Sequence, residues 1–298
     1  MNKNSLLKKR EQKSPFLLIV FVVLLVYSVS LIFPLSWAVF SSLKSDIDFT
    51  VSPFELFPYD GLQFENWWKI FEVFNAEVYT EKGVEVIGLL HMIFYSVVYS
   101  VSVPLVANFT RSMCAYVCAR YKHLIFPGWI YSLAIVLMTM TFPSNLAVSI
   151  QFYKLVGIYN NLWMLIITSI SFSGAHFLYL YAAYIGLSKE YAEAAQLDGA
   201  NQFQIMFNIM MPMVKNIFAA VFILDFIAMW NNYSVNVTVL PNYPMLAYGL
   251  FKFQSKNPKP TIPIQLASST VLMIPTLLLF VLFSDKLMSN LSIGGIKG

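Results

Sequence analysis

The sequence predicts an all-α polytopic membrane protein of about six transmembrane helices, and three observations predict it. The chain of 298 residues is 58% hydrophobic and 11% charged, with a mean hydropathy of +0.66, too apolar for a soluble domain of this length. Its apolar residues fall in runs long enough, at 1.5 Å per residue, to cross a hydrocarbon core of about 30 Å. Its polar residues gather between those runs, with basic residues mostly on one side.

Residues 1–14 carry Lys3, Lys8, Lys9, Arg10 and Lys13 against Glu11, a basic N-terminal stretch expected in the cytosol. Residues 15–298 are expected to form one transmembrane domain. Its first span, 15–43, is too long an apolar run for a cleavable signal peptide. Residues 44–86, the longest polar segment, are expected outside as a solvated loop over the helix tops. The second span is expected at 88–118, with Arg120 and Lys122 at its inner end. The third is expected at 124–150, where Pro127 and Pro143 permit kinks. A short outer link, 151–161, leads to the fourth span at 162–187. The fifth is expected at 214–240 and the sixth at 266–288, which leaves 241–265 outside and the C-terminus in the cytosol. Lys252, Lys256 and Lys259 depart from the charge rule, but most basic residues agree with it.

Composition also excludes. The net charge of +4 shows no nucleic-acid footprint. Cys114 and Cys118, four apart on one expected helix, are poorly placed for a disulfide and lack a metal-ligand set nearby. No phosphate-binding GxxxxGK[ST], HExxH or nucleophile elbow occurs, so no catalytic, cofactor-binding or metal residue is assigned and the chain is not read as an enzyme.

The stretch Ser188–Asn216 is the polar interruption on the inner side. Ser188 suits a helix cap, Ala192 to Leu197 are good helix formers, and Asp198-Gly199 suits a helix end. Asn201 suits the start of a second helix, and Pro212 the start of the next span. Three alanines beside Glu193 offer a surface of low relief that suits docking into a groove. On composition alone the stretch reads as an amphipathic interfacial helix; the spacing points elsewhere. Glu193-Ala194-Ala195, Gly199, and Ile209-x-Met211-Pro212 resemble the EAA motif, EAA-x3-G-x9-I-x-LP, of ABC importer permeases, with methionine for leucine. The resemblance implies a coupling-helix pair that contacts an ATP-binding subunit through Glu193, Ala194, Ala195, Asp198, Gly199, Ile209 and Pro212.

Charged and amide groups within the spans are the other candidates. Asp225 lies about a dozen residues into the fifth span, where an isolated carboxylate is costly, and Arg111 lies in the inner half of the second. The two are expected to pair as an interior brace. His176 in the fourth span reads as a polar lining residue or an intramembrane hydrogen-bond partner, with simple packing favoured. Phe226, Trp230, Asn231, Asn232 and Tyr233 resemble the F-x3-W-N-[DE]-F pattern of the family's fifth helix, with Asn232 replacing the acid. Aromatic rings beside amides suit sugars, although such stripes also serve packing. The last outer loop and the C-terminal LSIGGIKG resemble those of MalG-like carbohydrate permeases. That likeness makes Tyr248, Gly249, Lys252 and Lys256 candidates for contact with a binding protein.

The resemblance, which covers nearly the whole chain, implies a permease subunit of a carbohydrate ABC importer in a prokaryotic plasma membrane. It implies a second, MalF-like permease, two ATP-binding subunits that hold ATP and magnesium, and an external sugar-binding protein. A permease for an amino acid, peptide or polyamine remains an alternative. From a different class, a proton-coupled secondary transporter would have Asp225, Arg111 and His176 to work with.

Overall fold

The computed structural model describes residues 15–80, 83–121, 128–133, 136, 146–172, 174–256 and 259–291. The chain divides into two compact units, one of residues up to Val73 with Lys256–Val271, the other of Phe74–Ser255 with residues from Leu272 onward.

In the first unit, α1 (Pro15–Ser42) spans 28 residues, about 42 Å of helix. Its side chains from Pro15 to Leu35 are exposed, as a helix needs when its solvent is lipid. The segment after α1 is not the plain solvated loop expected from sequence. Lys44 is fully buried, and its Nζ donates to the Ser52 carbonyl at 2.6 Å. Asn66 Nδ2 donates to the Ser42 and Lys44 carbonyls at 3.0 and 2.8 Å. Asp48, on α2 (Asp46–Val51), accepts from Ser52 Oγ and the Tyr59 N–H, both at 2.9 Å. Residues that read as polar loop are thus used to satisfy a folded cap, and α3 (Glu65–Val73) ends it.

The second unit opens with an antiparallel hairpin, β1 (Asn75–Thr80) and β2 (Gly83–Gly88), in register from Asn75 opposite Gly88 to Thr80 opposite Gly83. An all-helical expectation overlooks it. The period-two signal is nonetheless present, since Ala76 and Val78 are buried while Glu77 and Tyr79 face out.

The central element is α4 (Leu89–Arg120). The expected third span falls largely outside the described residues. Residues 128–133 are helical, and α5 (Leu146–Val156) runs through most of the expected outer link. The expected fourth span is not continuous. It divides into α6 (Leu162–Ile167) and α7 (Ala175–Ile185), with Gly174 at φ +102°, a backbone state that an ordinary helix excludes. Hydroxyls make the break tolerable in lipid. Thr168 Oγ1 donates to Met164 O and Ser169 Oγ to Leu165 O, each at 2.6 Å. The Ser171 N–H and carbonyl both bond Thr110 Oγ1 of α4 at 3.1 Å, so the unwound backbone is answered by a neighbour.

Next come α8 (Glu190–Leu197) and α9 (Gln202–Met213), which meets α10 (Lys215–Trp230) at a 72° bend. Both α7 and α10 pack along α4. Pro212 therefore sits in α9 rather than at the start of the fifth span. The expected extension of that span to 240 also fails: α10 ends at Trp230, and α11 (Ser234–Thr238) follows a turn. α12 (Leu246–Gln254) and α13 (Ile262–Leu291) complete the chain. Among the described residues three helices are long and apolar enough to cross a membrane, or four if the bent pair counts as one.

Gly249 on α12 is a packing residue, which corrects its assignment as a partner contact. It is buried, and a Cβ there would lie 2.6 Å from Phe74 Cε1 and 2.7 Å from Met92 Sδ. The helix thus rides directly on the base of β1 and on α4. Gly249→Ala is expected to destabilise the protein by about 1–3 kcal/mol through overpacking, read as a lower thermal midpoint in detergent; an unchanged midpoint would refute the close approach.

Candidate functional site

The helix pair α8–α9 is closed by two standard devices. At its bend, Gly199 has φ +85°, the Ala200 N–H bonds the Ala195 carbonyl at 2.9 Å and the Gly199 N–H bonds Gln196 at 3.0 Å. These are the two bonds of a Schellman C-cap. The next helix starts on a reciprocal capping box, in which Gln204 N–H donates to Asn201 Oδ1 at 2.9 Å and Asn201 N–H to Gln204 Oε1 at 2.8 Å. Ser188 Oγ accepts the Glu190 N–H at 3.3 Å.

The alanine face is where the structure departs from the expectation. Ala192 and Ala195, three apart and so on one side of the helix, are buried and pack in a core with Tyr116, Phe177, Tyr181 and Met210. Ala195 is therefore an anchor and not an outward docking residue. Glu193, Ala194, Asp198 and Gly199 face out. So do Leu197, 90% exposed, and Phe203, 70% exposed, neither of which the motif singles out. Their signal was available: a leucine at the end of an otherwise polar helix face has no local reason to be there. Ile209 is partly buried against the same core, and Pro212 is exposed. Since Pro212 has no N–H for the Asn208 carbonyl, the preceding turn widens into a π-helix over Ile205–Met210, and the Met211 N–H bonds Met206 O.

A second constellation lies within the spans. Arg111 Nη1 of α4 meets Asp225 Oδ2 of α10 at 2.7 Å, and His176 Nδ1 of α7 meets Asp225 Oδ1 at 2.9 Å. Because a carboxylate only accepts, Nδ1 carries the hydrogen. Arg111 also donates to Asn108 Oδ1 at 2.9 Å and to Ser171 Oγ at 3.1 Å. The arginine–aspartate pair is thus present, and the histidine is its third member and not a packing residue on its own. One acid gathers three helices, and the arginine reaches the break before α7.

The remaining candidates separate. Trp230 is buried, 3% exposed, and its indole N–H is spent on the Leu272 carbonyl at 2.8 Å; it is corrected from a pathway residue to a packing residue. Asn231 Nδ2 caps its own helix at the Ile227 carbonyl, and Asn232 Oδ1 accepts from Ser234 Oγ at 2.7 Å, so both serve the turn after α10. Tyr233 is exposed and stacks on Phe251, ring centroids 4.8 Å apart. Tyr248 carries the Lys252 ammonium 5.7 Å above its ring. Lys252 and Lys256 are exposed. Among the described residues no cluster suits a metal ion.

Removing one partner from the Asp225 constellation leaves a charge without its counter-charge. Asp225→Leu is expected to cost about 3–5 kcal/mol, and adding Arg111→Met to recover most of it. Thermal unfolding of the four members of this cycle in detergent checks it; additive losses would show that the pair is not coupled.

Residues 111–292 match the family described as the binding-protein-dependent transport system inner membrane component. The chain is 30% identical over 277 residues to the diacetylchitobiose uptake system permease protein NgcG of Streptomyces coelicolor, covering 91% of this chain and 86% of that one. It is 28% identical over 209 residues to the arabinooligosaccharides transport system permease protein AraQ of Bacillus subtilis, covering 69% and 73%. A crystal structure of a bacterial ABC transporter that imports the acidic polysaccharide alginate superposes with a TM-score of 0.66 over 91% of this chain and 95% of the other, at 18% identity, a likeness of fold alone. Arg111 to the far part of α13, including both constellations, falls inside the family match, and the chain belongs to the binding-protein-dependent transport system inner membrane components.

Proposed function

We propose that this chain is a membrane-spanning permease subunit of an ATP-driven, binding-protein-dependent importer of oligosaccharides. It acts with a second permease, two ATP-binding subunits and an external sugar-binding protein. Relatives named for diacetylchitobiose, arabinooligosaccharides and galactooligosaccharides support the sugar class. They favour it over an amino-acid, peptide or polyamine solute. The assigned orientation puts both termini and α8–α9 in the cytosol, where the ATP-binding subunits lie.

The observation that carries the mechanism is the division of α8. Its buried Ala192 and Ala195 set the helix against the π turn of α9, in a core shared with α4 and α7, while Glu193, Leu197 and Phe203 stand outward from the same hook. Leu197 inserts into an apolar recess of the ATP-binding subunit, and Glu193 pairs with a cation beside it. Closure of the ATP-binding subunits draws the hook inward, and the displacement passes from the alanine face through the π turn of α9 to the core shared with α4 and α7. The Arg111–Asp225–His176 constellation keeps α10 moving with them. Hydrolysis, carried out wholly on the partner, resets the arrangement.

Leu197→Ala and Glu193→Ala are each expected to weaken capture of the ATP-binding subunit about tenfold and to lower sugar uptake and substrate-stimulated ATP turnover, with thermal stability of the permease unchanged. Ala195→Leu, in contrast, is expected to lower stability itself by about 1–3 kcal/mol through overpacking. Co-purification and ATPase assays on the reconstituted complex read both; unchanged turnover in Leu197→Ala and Glu193→Ala alike would refute the coupling role. Uptake of a non-sugar solute in place of oligosaccharides would refute the substrate class while leaving the coupling role standing.

A further inference from the structure

A cleft lies where the end of α4, the end of α7 and the start of α8 converge. Its floor is phenolic: Tyr116 and Tyr184 are 3% and 4% exposed and meet edge to face, with centroids 5.6 Å apart. One wall is apolar, with Ile185, 57% exposed, and Leu187 beside it. The rim is cationic. Arg120 and Lys189 both line the opening, and Arg120 Nη2 donates to the Lys189 carbonyl at 3.3 Å, which ties the two positions together.

Two basic residues thus line one cleft with no carboxylate in ion-pair range among the described residues, a rim that favours an anion. The anion's chemistry is narrowed by the wall. Arg120 closes a helix long and apolar enough to cross a membrane, and basic residues that flank such a helix attract anionic headgroups. A free phosphate ion has no use for an exposed isoleucine and a half-buried leucine beside its binding groups, whereas an amphiphile does. A guanidinium and an ammonium on one rim suit a phosphate diester, the first through paired N–H donors and the second as a point charge.

We propose that this cleft binds the phosphate of an anionic phospholipid, with Arg120 and Lys189 on the headgroup and an acyl chain along Ile185 and Leu187. The bound lipid braces the first turn of α8, since Lys189 immediately precedes that helix. Lipid binding here rests on the family's placement in a membrane and not on the coupling role of α8–α9, so either can fail alone.

The test uses the complete transporter purified in detergent. On the unmodified complex, phosphatidylglycerol is expected to raise the thermal midpoint and to be retained in native mass spectra, while phosphatidylcholine and millimolar inorganic phosphate do neither. Arg120→Gln with Lys189→Gln is expected to weaken phosphatidylglycerol retention roughly 30-fold, from the attraction of two interfacial cations. Lys215→Gln, outside the cleft, is expected to leave it unchanged. Equal retention by the double variant and the unmodified complex would overturn the proposal, as would stabilisation of the unmodified complex by inorganic phosphate alone. Loss of the ATP-binding subunit from the double variant with lipid retention intact would also overturn it, by assigning the two cations to that partner.

Discussion

A carboxylate in an apolar helix sets a condition that its neighbours must meet, and Asp225 sets it here. Burying an unanswered charge costs far more than the few kcal/mol that separate folded from unfolded protein. The second unit answers with Arg111 from α4 and His176 from α7, both within 2.9 Å. Because Arg111 also holds Ser171, the interrupted stretch before α7 is bound to the same arginine as the acid. The constellation thus joins three helices whose apolar contacts alone would leave them free to slide, since lipid solvates an aliphatic side chain about as well as another helix does.

The helix pair α8–α9 closes on the core of the same unit. Alanine at 192 and 195 lets α8 pack against the π turn of α9 and the core behind it, and that packing leaves Glu193 and Leu197 of the same helix pointing away from the core. A single short helix therefore has a fixed side and a presented side, divided by the 3.6-residue period. The Schellman turn at Gly199 and the capping box at Asn201 hold the second arm at a defined angle without help from a partner. The π turn before Pro212 absorbs the missing N–H, and the 72° bend then redirects the chain into α10.

Polar residues outside the spans are used with similar economy. Lys44, Asp48 and Asn66 bond backbone groups that a chain leaving a helix exposes, and so convert an acidic segment into a folded cap. On α12, Gly249 does the opposite job by having no side chain, which brings the helix against Phe74 and Met92.

Hydropathy and charge placement by themselves determined that the chain is a helical membrane protein, and the spacing of Glu193, Gly199 and Pro212 determined where the paired helices lie. Such signals are local: a run length, a cap, a fixed offset. The Arg111–Asp225 pair was also legible, because each charge is costly alone and few counter-charges exist within the spans. Tertiary structure decided the rest. Whether Ala195 looks inward or outward depends on which side of α8 meets the core, and helical periodicity names a face without naming its partner. The break before α7 needed Thr110, sixty-one residues away in sequence, to satisfy Ser171, and Trp230 turned inward because Leu272 offered it a carbonyl. Those choices depend on groups brought together only by folding, which is why residues in plain view in the chain did not disclose them.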